Sequence, residues 1–405
     1  MATAERGLAV RQAPFPYRAT LAICSDLDLT PDRHVYWETA RYLNTHEPTS
    51  IGPGLGLEIG NTIYFDMAPD QFAYWNTDDE GRAMVRALIR SGHIDCFHSY
   101  GDLAGTRAHA GRALDELSRH DCRMTVWIDH AVAPTNFGAD IMRGSGDVPG
   151  AAAYHADLTC GFGVEYVWRG RVTSVIGQDV PRRLGGIFAR EHPFASARTV
   201  AKEAVKGLLA RAGSRKYALH APNRILQPAI LRDGRPVQEF LRSNPYWQAV
   251  DQGETASGLA GVLVPRMVDV VVARGGASIL YTHLGKVKDP RQPIGPATQA
   301  ALQDLVHRQR RGELLVTTTR RLLDFRSAVR EARLAHREVN GTLEVDVALP
   351  AHRPAQGLGV YVSNPAATRL RINGREVADL QCNPPDHTGR ASLSVPWPRL
   401  EFPSL

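Results

Sequence analysis

The sequence predicts a mixed α/β fold, in which a distorted β/α barrel of about seven strands is followed by a small C-terminal all-β domain. Short apolar runs alternate with longer stretches whose apolar residues recur every three or four positions, a pattern typical of buried strands and amphipathic helices. Repetition of strand and helix over about 310 residues favours a closed or nearly closed barrel over an open sheet. Near residue 330 this pattern ends.

The barrel is predicted to occupy residues 1–330. Met84, Val85, Leu88 and Ile89, for example, would share one face of a helix. The apolar runs that predict strands are residues 20–25, 62–65, 94–97, 124–128, 164–168, 217–219, 278–282 and 314–317. The predicted helices are residues 81–91, 106–120, 195–212 and 296–311.

The small β-sandwich-like domain is predicted for residues 331–405. Residues 342–349 alternate between polar and apolar side chains, as expected of a strand with one buried face. Asn373–Gly374 is a typical hairpin turn. Further strands are predicted at residues 359–363, 370–372 and 392–395. Clustered acid, base or metal-ligand residues all precede this region, so the barrel is expected to carry the chemistry.

Composition indicates an ordinary globular protein, with 43% apolar and 22% charged residues. The net charge is +6, but the basic residues are scattered and no recognition motif accompanies them, so nucleic-acid binding is not expected. No apolar stretch has the length of a membrane span or a secretory signal. Five cysteines without a CxxC pair favour reduced thiols and a cytoplasmic location. The sequence gives no indication of an oligomeric state.

The first predicted strand runs into two carboxylates, Asp26 and Asp28. Side chains alternate along a strand, so the two would project to the same side if the strand continues through them. Such a pair is costly unless a cation lies between the carboxylates or one of them is protonated. The C-terminal mouth of a barrel, where this strand ends, is where such folds place their active sites. The structural alternative is a helix cap at Asp28.

Two later strands also end in polar side chains. His98 follows residues 94–97, and a helical turn that begins at His98 would place Asp102 on the same face, where both can ligate one ion. His283 follows residues 278–282, and an imidazole can act as acid or base near neutral pH. Each residue alone is compatible with an ordinary polar turn, but three such strand ends together favour one site.

These residues resemble the polysaccharide deacetylase-like superfamily (NodB homology, carbohydrate esterase family 4) in their order along the chain. The resemblance covers roughly residues 15–325 and rests on the three motifs. It implies that Asp26 is the general base and that His283 protonates the leaving amine. It also implies a bound divalent metal, with zinc the first candidate, and the implied ligands are Asp28, His98 and Asp102.

The chain departs from the family pattern in two places, as a divergent member would. Asp102 stands where the family usually has a second metal-binding histidine, and a carboxylate there weakens the argument for zinc specifically. The usual Arg-x-Pro motif after the fourth strand is missing. In its place the sequence has Trp127, Asp129, His130 and Asn136, which we predict to bind substrate. Asp129 and His130 have two further interpretations, as residues that orient the base or as metal ligands.

The predicted function is metal-dependent hydrolysis of a non-peptide C–N bond, namely removal of an N-acyl (acetyl) group from a carbohydrate or related amide. A metal lowers the pKa of bound water, a carboxylate takes the proton of that water, and a histidine protonates the leaving nitrogen. One alternative is a glycoside hydrolase that uses two of Asp26, Asp28 and Asp129 as acid and base. The other is a non-catalytic carbohydrate-binding protein with a decayed site. The expected ligand is a small molecule or carbohydrate.

Overall fold

The computed structural model describes residues 8–26, 29–187, 192–244, 255–287 and 289–405. The predicted mixed α/β class is confirmed, and the fold centres on one large, curled sheet in which parallel pairing predominates. The strands are β1 (Ala9–Val10), β2 (Ala19–Ser25), β3 (Gly60–Ile63), β4 (Ile94–His98), β5 (Val126–Ile128), β6 (Tyr166–Trp168), β7 (Val172–Thr173), β8 (Leu226–Ile230), β9 (Pro236–Phe240), β10 (Arg242–Ser243), β11 (Ala277–Thr282), β12 (Leu314–Thr317), β13 (Arg333–Val339), β14 (Thr342–Ala348), β15 (Gly359–Tyr361), β16 (Thr368–Ile372), β17 (Arg375–Glu376), β18 (Gln381–Asn383) and β19 (Ser392–Ser394). The helices are α1 (Arg33–Asn44), α2 (Asp79–Ser91), α3 (Arg107–Arg119), α4 (Ala156–Phe162), α5 (Pro193–Arg211), α6 (Leu259–Val262), α7 (Pro265–Arg274), α8 (Pro296–Arg310) and α9 (Thr319–Glu331).

Helix α2 shows how local sequence sets these elements. The Asp78 side chain caps its first turn by accepting a hydrogen bond from the Gly81 N–H at 2.8 Å. Gly92 ends the helix in a left-handed conformation, with φ of 82°, which glycine adopts without steric cost. Between them the four predicted apolar residues are buried against the sheet.

In the described ranges, no helix is long and apolar enough to cross a membrane.

The large sheet has ten strands along its main path, in the order β7–β10–β11–β2–β3–β4–β5–β6–β9–β8. Neighbouring strands are parallel except for β8 and β9. Strand β12 lies off this path and pairs with the first half of β2. Strand β3 pairs with the last two residues of β2. Among the described residues, β7 and β8 do not pair with each other, so the sheet is curled without a closing ladder.

One predicted strand is wrong. Tyr217 ends a short 3₁₀ segment, Arg215–Tyr217, and residues 218 and 219 lie in the turn that follows it, so none of the three joins the sheet. Gly213 is left-handed there, with φ of 88°, and the Tyr217 N–H donates to the Ser214 carbonyl at 3.2 Å. A run of three apolar residues is too short to form a ladder when a tight turn satisfies its backbone locally. The other seven predicted strands and all four predicted helices are present.

Alternation along the strands divides the core into an outer and an inner layer. In β2, Leu21 and Ile23 pack outward among residues of the helices, whereas Ala22 and Cys24 face the inside of the curled sheet. The inner cluster contains small, aliphatic and aromatic side chains from seven strands, together with two leucines of α9. The alternation therefore determines which residue at the C-terminal end of each strand faces the inside of the sheet.

The C-terminal region forms two four-stranded sheets, β1–β15–β19–β18 and β13–β14–β16–β17, which share one hydrophobic cluster. Strand β1 comes from the other end of the chain, and Ala328 of α9 enters the same cluster. Arg353 also forms ion pairs with Glu165, next to β6, and with Glu331. The predicted β-rich character is thus confirmed, while the independence of residues 331–405 as a domain stays a prediction.

Candidate functional site

Polar side chains end the inner face of several neighbouring parallel strands. Following the alternation, Ala22 and Cys24 lead to Asp26, Cys96 leads to His98, and Ile279 and Tyr281 lead to His283. All three polar residues line one cavity of about 510 Å³. The carboxylate and imidazole side chains that line it, among the described residues, are Asp26, His98, Asp129, His130, His220 and His283. The cavity lies at the C-terminal ends of the strands, as expected for an active site of a β/α fold.

Asp26 is held by a buried arginine that the sequence reasoning missed. The Arg242 guanidinium donates to both Asp26 carboxylate oxygens, at 3.1 and 3.3 Å, and both side chains are almost fully buried. The cation also lies over the rings of Trp168 and Tyr281, at 4.3 and 5.4 Å from the centroids. Burial lowers the pKa of Arg242, but the Asp26 carboxylate outweighs burial and leaves that pKa above its ordinary value. The paired guanidinium therefore favours the charged form of Asp26 and fixes the orientation of its carboxylate.

His283 is the neighbour of Asp26 across two paired strands. Strands β2 and β11 pair in parallel, with Ser25 opposite Thr282, and Asp26 and His283 directly follow these two residues. The Asp26 N–H donates to the Thr282 carbonyl at 2.7 Å, which fixes this register at the mouth of the cavity. The predicted base and the predicted acid thus lie side by side.

On the other side of Asp26, two imidazoles lie close together. The His98 Nε2 atom is 3.5 Å from an Asp26 carboxylate oxygen. The ring centroids of His98 and His130 are 4.8 Å apart, and the Tyr64 ring packs on both. His130, one of the predicted substrate-binding residues, therefore occupies the position next to His98.

Asp102 reaches this site only through His130. Its carboxylate is 2.8 Å from His130 Nδ1 and is about half exposed, and it does not line the cavity. The helical turn expected at His98 does not form, because His98 is the last residue of β4 and Ser99 and Gly101 both have positive φ, 48° and 104°. His98 and Asp102 consequently do not share a helix face. Asp102 instead orients the His130 ring.

Asp129 fixes the loop that follows β5. Its carboxylate accepts hydrogen bonds from the Trp127 indole and from the backbone N–H groups of Phe137 and Gly138, at 2.7–2.8 Å. Burial raises the pKa of Asp129 to about 7, against these donors, which act in the opposite direction. Asp129 belongs to the cavity wall, but three donors already engage the two oxygens of its carboxylate.

Two other predicted substrate-binding residues support the site without lining it. Trp127 lies on the outer face of β5, where its fully buried ring stacks on Phe137. Asn136 is fully buried too and bonds the backbone of His130 through both its oxygen and its nitrogen. Strand alternation explains the position of Trp127, because it directs residues 126, 128 and 130 inward and Trp127 outward.

The described residues do not complete the predicted metal centre. Within these ranges, no group of three His, Cys, Asp or Glu side chains is arranged to hold an ion. Asp26 binds Arg242 with both oxygens, and Asp102 contacts His130. Of the other two predicted ligands, His98 lies beside Asp26, and Asp28 is outside the described residues. Zinc binding therefore stays a prediction.

A search for relatives adds no family to this description. Comparisons of the chain with protein-family models, with curated proteins and with solved structures returned no match.

Proposed function

We propose that the chain is a hydrolase that removes an N-acyl group from a carbohydrate or a related amide. The observation that carries this proposal is that Asp26 lies in one cavity with His283 on one flank and His98 and His130 on the other. A base, an acid and hydrogen-bonding imidazoles around one space are what amide hydrolysis requires. The order of these residues along the chain, which resembles that of carbohydrate deacetylases, supports an amide as the scissile bond.

In the proposed reaction, Asp26 takes a proton from water while the water oxygen forms a bond to the carbonyl carbon. Arg242 suits Asp26 to this role because it favours the ionised carboxylate and fixes its direction. The C–N bond then breaks, and His283 gives a proton to the leaving nitrogen. The products are a carboxylic acid and an amine.

His98 and His130 would contact the carbonyl oxygen as it gains negative charge. Their rings lie next to each other on the flank of Asp26 opposite His283, where donors are needed if the leaving nitrogen is at His283. The carboxylate of Asp102 holds one of these rings through Nδ1, which directs the other ring nitrogen away from Asp102.

The resemblance implies two finer properties that belong to the same proposal. The first is that the curled sheet is a distorted β/α barrel that carries residues 331–405 as a separate β unit. The second is that a divalent metal, bound in part by Asp28, takes part in the reaction. A cytoplasmic enzyme would encounter small sugar derivatives more often than cell-wall polymers.

The class of reaction can be tested by analysing the products formed from a panel of N-acetylated hexosamines, hexosamine phosphates and short chitin oligomers. We expect acetate and a primary amine in equal amounts, because only the C–N bond breaks. The same assay after chelator treatment, with metal restored in a second sample, tests metal dependence separately.

New reducing ends without acetate would instead indicate a glycoside hydrolase. The structure gives that alternative less support at Asp129, because three N–H donors already engage the oxygens of its carboxylate. Saturable binding of panel members without any product would indicate a binding protein and would overturn the proposal.

A further inference from the structure

The lysines of this chain are concentrated at the cavity. The sequence has 48 lysines and arginines together, but only five lysines, at positions 202, 206, 216, 286 and 288. Four of the five, Lys202, Lys206, Lys216 and Lys286, line this one cavity, and Lys288 is outside the described residues. A chain that uses arginine almost everywhere else thus places ammonium groups around its candidate site. Lysine is a compact point charge with three donors, which suits the oxygens of a phosphate group.

The four ammonium groups reach the cavity from three segments. Lys202 and Lys206 are one turn apart on α5, so they lie on the same side of the helix. Lys216 belongs to the short segment Arg215–Tyr217, and Lys286 lies three residues beyond His283. Cations from separate segments around one cavity form a concave site, in contrast to the solvated basic face of a single helix.

Some of the positive charge is already balanced within the protein. Lys206 Nζ is 2.7 Å from a carboxylate oxygen of buried Glu203 and donates to the Val172 carbonyl at 2.9 Å. Burial, and with it the charge of Lys202, lowers the pKa of Lys206 although Glu203 acts against this. Among the described residues, neither Lys202 nor Lys216 forms an ion pair with a carboxylate. Within the described ranges, the cavity thus contains two ammonium groups that form no ion pair with a carboxylate.

Arginines also contribute to the excess of positive charge in the cavity wall. Of the described residues, Arg171 and Arg242 line the cavity besides the lysines, and the acidic residues among them are Asp26 and Asp129. Asp26 is matched by Arg242, and Arg171 pairs with carboxylates outside the wall, those of Asp140 and Glu239. The concave wall therefore presents a net positive field, which attracts anions and is strengthened by its low-dielectric surroundings.

We propose that the cavity binds a phosphate group of its substrate through Lys202 and Lys216. This inference rests on the proposed function, and it identifies the substrate class as an N-acylated sugar that carries a phosphate or phosphodiester. The phosphate would lie on the side of α5, and the amide at Asp26 and His283. Both groups fit in one cavity of about 510 Å³, a volume typical of small-ligand sites.

The phosphate has two sources, a soluble sugar phosphate or a lipid-linked one. Helix α5 is relevant to this choice, because it presents apolar side chains to solvent beside the lysines. Phe194 is 90% exposed, Leu208 62% and Val205 53%. The experiment therefore includes a soluble and a vesicle arm.

The test is titration calorimetry of the full-length protein with inorganic pyrophosphate at low ionic strength. The double variant Lys202→Ala/Lys216→Ala should weaken binding by about tenfold or more, since two charge-assisted contacts are lost. The matched control is Arg198→Ala/Arg211→Ala, which removes two exposed positive charges from the same helix without touching the cavity. Its affinity should change by less than about threefold, because exposed charges are screened.

Three results would overturn the site. The first is an absence of saturable binding at millimolar pyrophosphate. The second is an equal loss of affinity in both double variants. The third is binding to phosphatidate vesicles that is the same with and without the lysine pair. Vesicle binding that requires the lysine pair would support the site with a lipid-linked source. The Asp26→Asn variant should still bind pyrophosphate, because it keeps the lysine pair, so its binding tests the phosphate site independently of the proposed hydrolysis. Lysine-dependent binding without hydrolysis of any panel member refutes only the function, and equal hydrolysis of neutral and phosphorylated sugars refutes only this inference.

Discussion

Replacing Asp26 by asparagine should lower kcat/KM by about 10²–10⁴-fold, the usual contribution of a general base. Asparagine keeps the size of the side chain but cannot take a proton from water. The loss should fall mainly on kcat, because the amide side chain fills the same space and leaves the lysine side of the cavity intact. Steady-state kinetics on the best N-acylated sugar of the panel would measure it.

Two control variants separate catalysis from folding in this experiment. Asp79→Asn makes the same chemical change on a side chain that is 96% exposed, and it should leave kcat/KM unchanged. Asp102→Asn should give an intermediate loss of roughly 10–100-fold, because it disturbs the orientation of His130 only. Circular dichroism must show that each variant is folded at the assay temperature. Asp26→Asn with activity equal to that of Asp79→Asn would remove Asp26 from the mechanism.

Replacing Arg242 by methionine should destabilise the fold by about 3–5 kcal/mol, the cost of leaving a buried carboxylate without its partner. Arg242 is fully buried and donates to both oxygens of Asp26, so its loss removes two charge-assisted hydrogen bonds. The shift of the urea unfolding midpoint, at an unchanged slope, gives this loss.

The double variant Arg242→Met/Asp26→Asn should recover part of that stability, because the carboxylate that lost its partner is then neutral. Arg291→Met is a suitable control, since its side chain is 96% exposed and 4.0 Å from the nearest carboxylate. It should cost less than about 1 kcal/mol. If Arg242→Met cost no more than this control, or if the double variant were no more stable than Arg242→Met, the buried pair would not have the role assigned to it.

The positions of Asp26, His98 and His283 were predictable because they follow from strand patterns. Each comes at the end of a recognisable apolar run, and the carboxyl ends of parallel strands meet at one edge of the sheet. The side of the sheet that each residue faces also follows from the alternation of side chains along its strand. The structure accordingly brings these three residues together in one cavity.

The partners of these residues could not be predicted in the same way. Arg242 begins a strand of two residues, too short to give a periodic signal, and its pairing with Asp26 joins positions 216 residues apart. Asp102 was expected to share a helix face with His98, but the left-handed backbone at Ser99 turns it toward His130. Such contacts depend on tertiary packing and loop geometry. The scarcity of lysine was the sequence signal for the positively charged side of the cavity, and it could be interpreted only after the structure had placed the lysines there.

The most direct test of the central claim, that separate strand ends form a single catalytic site, is kcat/KM of the double variant Asp26→Asn/His283→Ala beside both single variants. Groups that act as one unit give strongly non-additive losses. We therefore predict that the double variant keeps the activity of the weaker single variant within about threefold. A loss equal to the product of the two single losses, or no loss from His283→Ala alone, would contradict the claim.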